Sequence, residues 1–403
     1  MAQDVAAQPA ARFLFLTYIS FCLPFAIVES SLVATLSLSP SQLGLPLAPS
    51  LLYLAFSTAS LLIPCLLHAA NGNPYRLLLF GYASLATFPL SSVVYLLAPH
   101  PASELLLYLC SLVAGVGAAV LWATVGTCIT ALHEQTLPSA PRSVDAYFST
   151  FTVILLATTF SFHLTTASLL PAGYSAVPVH AWLSLTSLLG VSLAFGWCRL
   201  ADVTLESPPS PSPPPPVIAT AKATVLLTLR SKPLLALLPS HLCTGLLEAA
   251  ILTVGTRNLP GSAVGVDTAL KTCAGAATAL LAALYFGRAT SAYETLDDSD
   301  LSLASPRRRR LILASFGLYF PVAILLPLAP PAVIPLLFVL GGAAQSIWST
   351  VSSGSSVSAW AASRELPERA AAFAGAKFAS GTASSLGFLV LPRLGGASLL
   401  VVL

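Results

Sequence analysis

Residues 105–132 read LLLYLCSLVAGVGAAVLWATVGTCITAL, a run that contains no charged side chain. A helix needs about 20 consecutive apolar residues to cross the hydrocarbon core of a bilayer, and this run exceeds that length. It is rich in leucine and alanine and does not alternate apolar with polar residues, as the strands of a membrane barrel do. We therefore predict that this segment crosses a membrane as a helix.

The composition extends this prediction to the whole chain. Of 403 residues, 56% are hydrophobic and only 8% are charged, whereas roughly a quarter of an ordinary soluble domain is charged. A lipid bilayer accepts such a surface, provided that backbone polar groups are paired within the protein. We predict eleven full spans, followed by an incomplete twelfth that begins near Gly395 and stops where the chain ends. The predicted spans are 13–35, 48–70, 76–98, 104–132, 147–170, 180–199, 234–256, 264–286, 311–329, 332–360 and 370–392.

A proline-rich segment, Ser207–Pro216, divides the spans into two groups. Proline lacks a backbone donor and clashes with the preceding helical turn, so this stretch is expected to be an extended linker. A ligand for an SH3-type domain is the alternative interpretation. We predict an N-terminal six-span bundle at 1–200, a linker at 201–232, and a C-terminal bundle of five spans plus a partial sixth at 233–403.

Lysine and arginine positions predict the orientation. With the N-terminus in the cytosol, 14 of the 18 basic residues fall on the cytosolic side, and only Arg257 and Arg393 fall outside. Cytosolic loops carry an excess of Lys and Arg, so we predict that the N-terminus and the central linker are cytosolic. Lys271 and Lys377 lie within spans. Which membrane holds the protein is left open.

Two pairs of similar segments indicate an internal repeat. Gly117-Ala-Ala-Val-Leu-Trp122 in the fourth span resembles Gly342-Ala-Ala-Gln-Ser-Ile-Trp348 in the tenth, and Glu29 in the first span corresponds to Glu248 in the seventh. The offsets, 348 − 122 = 226 and 248 − 29 = 219, fit one duplication. The layout is that of the major facilitator superfamily, whose substrates bind between the halves near the midplane. The predicted fold class is an all-α polytopic membrane protein, major facilitator superfamily-like, with two six-helix halves and an incomplete twelfth helix.

Within that superfamily, the chain resembles the Unc-ninety-three-like (uncoordinated-ninety-three) family from about Arg12 to Leu403. The resemblance implies a multi-pass protein of the facilitator fold. Family members regulate potassium channels or chaperone Toll-like receptors, and others are expected to transport solutes. The chain departs from the family pattern at Val125 and at Ser349–Val351, where amide side chains are replaced. The motifs that carry the resemblance are Leu43-Gly44 with Tyr53 and Pro64, Gly115–Trp122 with Gly126 and Thr130, Thr244-Gly245 with Glu248, and Glu368-Arg369 with Lys377, Gly387 and Phe388.

Charged side chains inside spans are the first candidates for function, because each costs roughly 2.5–3.5 kcal/mol on insertion scales. Glu29 and Glu248 each lie about 25 Å along their helices from a basic residue at the cytosolic end. His163 lies at a similar depth, and His241 is nearer the midplane. A carboxylate in apolar surroundings binds a proton more readily than in water. Glu29, Glu248 and His163 are therefore a candidate proton- or cation-binding cluster; the alternative is that they cap or bridge helices near the headgroups.

Four further intramembrane side chains, two tryptophans and two lysines, each have a structural interpretation, and a functional role is the alternative for each. Trp122 and Trp348 lie in mid-helix, where they either pack between helices or stack on a substrate. Lys271 follows Asp267 by four residues, the spacing of a local ion pair on one helix face. Lys377 is less than two turns from the predicted end of its span, so we expect its ammonium to reach the headgroups.

Other classes of function have no support in the sequence. The motifs GxSxG, Walker A and HExxH are missing, and the seven cysteines do not have metal-ligand spacing. We therefore expect no enzyme activity, no cofactor, no metal site and no nucleic-acid partner. The lipid bilayer is the expected environment. Two hypotheses stay open: a transporter of a small solute or ion, with proton coupling as one option, or a non-transporting regulator of a channel or trafficking chaperone for a membrane-protein partner. Under the first, Glu29 and Glu248 should face one central, water-accessible cavity.

Overall fold

A computed structural model describes residues 21–45, 47–69, 74–136, 144–170, 175–202, 216–256, 259, 261–287, 306–351 and 366–393, and the regular structure within them is entirely helical. We number the helices in chain order. They are α1 (Phe21–Leu38), α2 (Leu47–Ser60), α3 (Ile63–Ala69), α4 (Pro74–Leu97), α5 (Pro101–Thr136), α6 (Val144–Leu169), α7 (Ala176–Asp202), α8 (Val217–Arg230), α9 (Lys232–Ala250), α10 (Gly261–Gly287), α11 (Pro306–Leu325), α12 (Ile334–Trp348) and α13 (Leu366–Val390).

Each of the eleven predicted spans overlaps at least one of these helices, and α8 lies outside all of them. Among the described residues, eight helices are long and apolar enough to cross a bilayer, namely α1, α4, α5, α6, α7, α9, α10 and α12. The predicted span at 48–70 is divided, because two turn residues separate α2 from α3. The predicted twelfth span, from Gly395, lies outside the described residues.

Part of the predicted linker is a helix. The stretch 207–215 lies outside the described residues, but α8 begins immediately after Pro216 and continues to Arg230. Thr220, Thr224 and Thr228 are buried at four-residue intervals, so one face of α8 packs into the bundle. The hydroxyl of Thr228 lies against Gly375 of α13. The domain bounds and the cytosolic placement of the linker stay predictions.

The most extensive contacts between the two halves of the chain are made by two pairs of helices, α2 with α13 and α6 with α10. These are the second and eleventh, and the fifth and eighth, predicted spans. In a chain with two six-span halves, the second span corresponds to the eighth and the fifth corresponds to the eleventh. The two contacts are therefore exchanged when the halves are exchanged, as expected for a bundle with a pseudo-two-fold axis.

Glycines at corresponding crossings within each half bring two backbones together. A Cβ atom on Gly115 of α5 would collide with the carbonyl oxygen of Leu52 on α2. In the second half, a Cβ atom on Gly342 of α12 would collide with the carbonyl oxygen of Lys271 on α10. Small residues permit this close approach between membrane helices. The internal repeat is thus visible in the packing.

Polar and apolar side chains are distributed as a lipid environment requires. Hydroxyls inside the helices donate to backbone carbonyls one turn earlier, as Thr127 does to Ala123 at 3.0 Å, so they are satisfied without water. Large apolar side chains such as Leu97, Leu185 and Leu281 are about two-thirds exposed. These leucines would contact lipid, which leaves the space between the two halves as the polar interior.

Candidate functional site: a charged cavity between the two halves

A cavity of about 200 Å³ lies between the halves. Helices α1, α2, α5 and α6 line it from the first half, and α9, α10, α12 and α13 line it from the second. Its wall is mostly aliphatic and aromatic, with charged side chains at separate points. The charged, aromatic and amide side chains are Glu29, Tyr53, Phe56, Trp122, Phe148, Phe151, His241, Glu248, Lys271, Gln345, Trp348, Phe373 and Lys377.

Glu29 is the acidic group contributed by the first half. It lies on α1, and its side chain is only 8% exposed. Trp122 of α5 donates its indole N–H to Oε1 of Glu29 at 3.2 Å. The second oxygen, Oε2, is buried and accepts no hydrogen bond from the described part of the protein. The carboxylate is therefore held in one orientation by a single bond, with one oxygen left over.

Glu248 of α9 is held in the corresponding way in the second half. The side-chain amide of Gln345, on α12, donates to its Oε2 at 3.5 Å, and the phenol of Tyr53 lies beside the same carboxylate. In each half, a glutamate on the first helix thus accepts a bond from the fourth full span. The sequence repeat pairs Trp122 with Trp348. The donor to Glu248, however, is Gln345, which lies about one turn before Trp348.

Two lysines share this cavity, and the sequence-based expectation for each needs correction. The ammonium of Lys377 lies 4.0 Å from the centre of the Trp122 ring instead of reaching the headgroups. The reason is that α13 begins at Leu366, four residues before the predicted span, which places Lys377 about 17 Å along the helix. Lys271 lines the cavity, and among the described residues it forms no ion pair within 4.0 Å with Asp267.

The histidines are separated by the fold. His241 lines the cavity, and its ring meets Trp348 edge to face, with centroids 5.8 Å apart. Trp348 also packs on Phe316. His163 is buried on α6 but is not among the residues that line the cavity. The structure therefore brings Glu29, Glu248, His241, Trp122 and Trp348 together and leaves His163 apart.

The resulting site contains two acids and two bases in an apolar wall. Lys377 lies within electrostatic range of both glutamates, and Lys271 lies within range of Glu248. Charges separated by protein instead of water interact strongly, so the arrangement can hold a polar or charged solute in a defined orientation. Sequence reasoning missed both lysines as parts of this site, although a lysine within a span is itself a signal of function.

No protein-family model matches the chain, and no curated protein matches its sequence. A mutant of the nucleoside transporter NupG is similar in structure, with a TM-score of 0.60, 11% identity and coverage of 96% of this chain and 95% of that one. The proton:xylose symporter XylE, of the major facilitator superfamily, has a TM-score of 0.59 and 14% identity over 97% of this chain and 90% of its own.

A bacterial homologue of the iron transporter ferroportin, in an outward-facing state, has a TM-score of 0.60 and 15% identity over 96% of this chain and 95% of that one. The chain has the major facilitator fold. Because these matches extend over nearly the whole length of each protein, the fold applies to both halves. The charged cavity lies between the two halves of this fold.

Proposed function

We propose that the protein is a multi-pass membrane transporter of a small solute, with protons as the coupled ion. The observation that carries this proposal is that Glu29 and Glu248 line one cavity between the two halves, each held by a donor from its own half. Acids in a membrane interior are costly and are retained for transport or for partner contacts. A central cavity for both acids is what the transport hypothesis requires.

The arrangement supports alternating access. Because both halves contribute to the wall, rocking one half against the other would open the cavity to one side at a time. Lys377 and Trp122 belong to different halves and are in contact, so their separation would accompany opening. Glu29 and Glu248 are the acids available to carry a coupled proton along this path. We also place the protein in the Unc-ninety-three-like family, on the motif resemblance alone.

The test is uptake into proteoliposomes that contain the purified full chain, with an imposed pH gradient. The solute panel should cover nucleosides, sugars, peptides and amino acids. We expect uptake by the native chain and its loss in the double variant Glu29→Gln, Glu248→Gln. The matched control is Glu104→Gln. Glu104 lies at the start of α5, does not line the cavity, and accepts a hydrogen bond from the hydroxyl of Tyr108 at 2.6 Å.

A flat result for the native chain across the panel would reject transport, provided that the purified protein shows a cooperative thermal transition. In that case the alternative function applies, that of a regulator of an ion channel or a trafficking chaperone for a membrane-protein partner. A second contrary outcome is equal uptake by the native chain and the double variant, which would remove both glutamates from the path.

A further inference from the structure

The geometry points to a small zwitterion as the transported solute, with its ammonium on Glu29 and its carboxylate on Lys271. This inference rests on the proposed function, and it names the substrate class of the same cavity. A zwitterion here means a solute that carries one ammonium and one carboxylate, such as an aminocarboxylic acid.

Glu29 has one carboxylate oxygen that can accept a further hydrogen bond. Oε1 is fixed by the indole N–H of Trp122, whereas the buried Oε2 has no hydrogen-bond partner in the described protein. A buried carboxylate oxygen without a donor is unfavourable by roughly 1–3 kcal/mol or more. Because Glu29 lines the cavity, the ammonium of a solute bound beside this carboxylate could supply the missing donor.

The ammonium of Lys271 is available to donate to a ligand in the cavity. The side chain is 8% exposed and lines the cavity, and among the described residues it has neither a hydrogen bond nor an ion pair within 4.0 Å. Lys377 lies on the ring of Trp122, and Glu248 accepts from Gln345 and has the phenol of Tyr53 beside it. Glu29, through Oε2, and Lys271, through its ammonium, therefore have bonding capacity that the described protein does not use.

The charges of the side chains that line the cavity balance one another. The four charged groups, two acids and two bases, sum to zero when all are ionised. A solute with a single charge, positive or negative, would leave the cavity with an excess charge. An uncompensated charge in a buried site is strongly destabilising. A zwitterion leaves the total at zero while it presents an ammonium to Glu29 and a carboxylate to Lys271.

Size and position point the same way. Pockets for drug-sized ligands enclose roughly 300–1,000 Å³, so a cavity of about 200 Å³ fits a smaller solute. Glu29 and Lys271 lie on α1 and α10, in different halves. A solute that bridges them would bind both halves at once, which links substrate binding to closure of the cavity.

Binding to the purified full chain in detergent tests this inference independently of transport. Trp122 and Trp348 line the cavity, so intrinsic tryptophan fluorescence reports occupancy. The probes are 4-aminobutyrate and three matched analogues: butylamine, butyrate and butyramide. Glycine and 6-aminohexanoate vary the separation of the two charges. We expect saturable binding of at least one aminocarboxylate, and at least tenfold weaker binding of the three analogues.

Charge-selective variants separate a binding role from a folding defect. We expect Lys271→Gln to weaken the aminocarboxylate at least tenfold without weakening butylamine. Glu29→Gln should weaken binding of the aminocarboxylate by the same factor without weakening binding of butyrate. Asp267→Asn is the matched control, since Asp267 lies one turn before Lys271 but does not line the cavity, and it should leave every affinity unchanged.

The outcomes distinguish this inference from the proposed function. If a singly charged or neutral analogue binds as tightly as every aminocarboxylate, the zwitterion assignment is overturned. It is also overturned if no aminocarboxylate binds while another solute is taken up into proteoliposomes, and transport itself then stands. If nothing is taken up at all, the proposed function fails as well.

Discussion

Trp122 makes the two contacts that organise the cavity. Its N–H edge donates to Glu29 in the same half, and its ring face supports the ammonium of Lys377 from the other half. A cation on an indole face is stabilised by roughly 0.5–2 kcal/mol. One side chain therefore fixes an acid and connects it to a base across the interface, which gives Trp122 a role that packing alone would not require.

The two contacts of Trp122 can be separated by Trp122→Phe, which keeps a ring for Lys377 but removes the donor to Glu29. We expect solute affinity in the fluorescence assay to fall about tenfold, because a hydrogen bond to a charged group contributes roughly 1.5–3 kcal/mol. Trp182→Phe is the matched control, since Trp182 packs on Phe162 away from the cavity. Equal affinities in the two variants would contradict a role for the indole N–H.

The sequence shows which side chains are unusual within a span, but not which way those side chains point. Glu29 and Glu248 were found because an acid within a span is rare, and their correspondence followed from the repeat. His163 has a similar depth on its helix but is not among the residues that line the cavity. Depth does not determine which face of a helix a side chain occupies. Lys377 was misplaced for another reason: a span boundary wrong by four residues moved it by one turn.

Among the helices, the crossing of α10 and α12 shows how packing positions the site. Gly342 lies against the carbonyl oxygen of Lys271, so the close approach of the two backbones determines where the Lys271 side chain enters the cavity. The equivalent crossing in the first half, Gly115 on Leu52, has the same structural role without a charged residue. The position of Lys271 in the site thus depends on a glycine of the neighbouring helix.

Gly342→Val should destabilise the protein, because a side chain there meets backbone that cannot move independently. We expect a loss of roughly 1–3 kcal/mol, the usual cost of overpacking, seen as a lower midpoint of thermal unfolding in detergent. Gly317→Val is the matched control, because a Cβ atom on Gly317 of α11 meets nothing within 4 Å. Equal midpoints for the two variants would show that the α10–α12 crossing tolerates bulk.

Hydropathy predicted the spanning helices well, because a bilayer requires long apolar helices wherever the chain crosses it. It did not predict α8, which lies in the assumed linker between Pro216 and Ser231. The prolines suggested that the whole segment was extended, but they end at Pro216, and the next 14 residues contain none. The helix α8 buries its threonines and exposes apolar side chains such as Val217 and Ile218, so hydrophobicity alone does not identify the face that packs.

For the whole molecule, the interface between the halves is the feature that function would use. The contact of α2 with α13 includes hydroxyl pairs, Ser50 with Ser385 at 3.5 Å and Ser57 with Thr382 at 2.6 Å. The charged cavity lies between this helix pair and the α6–α10 pair. The fold and the repeat were predictable from sequence, whereas the lysines in the cavity required the packing of both halves.

Movement of α2 relative to α13 at this interface can be tested by cross-linking the two helices. The double variant Ser50→Cys, Ser385→Cys should form a disulfide under oxidation, since the native hydroxyls are 3.5 Å apart. If transport requires α2 and α13 to separate near Ser50, the cross-linked protein should lose uptake, and a reductant should restore it. Each single variant serves as a control for the new cysteines and for the native ones. Full uptake by protein whose cross-link is verified by mass spectrometry would show that this end of the interface stays closed throughout the transport cycle.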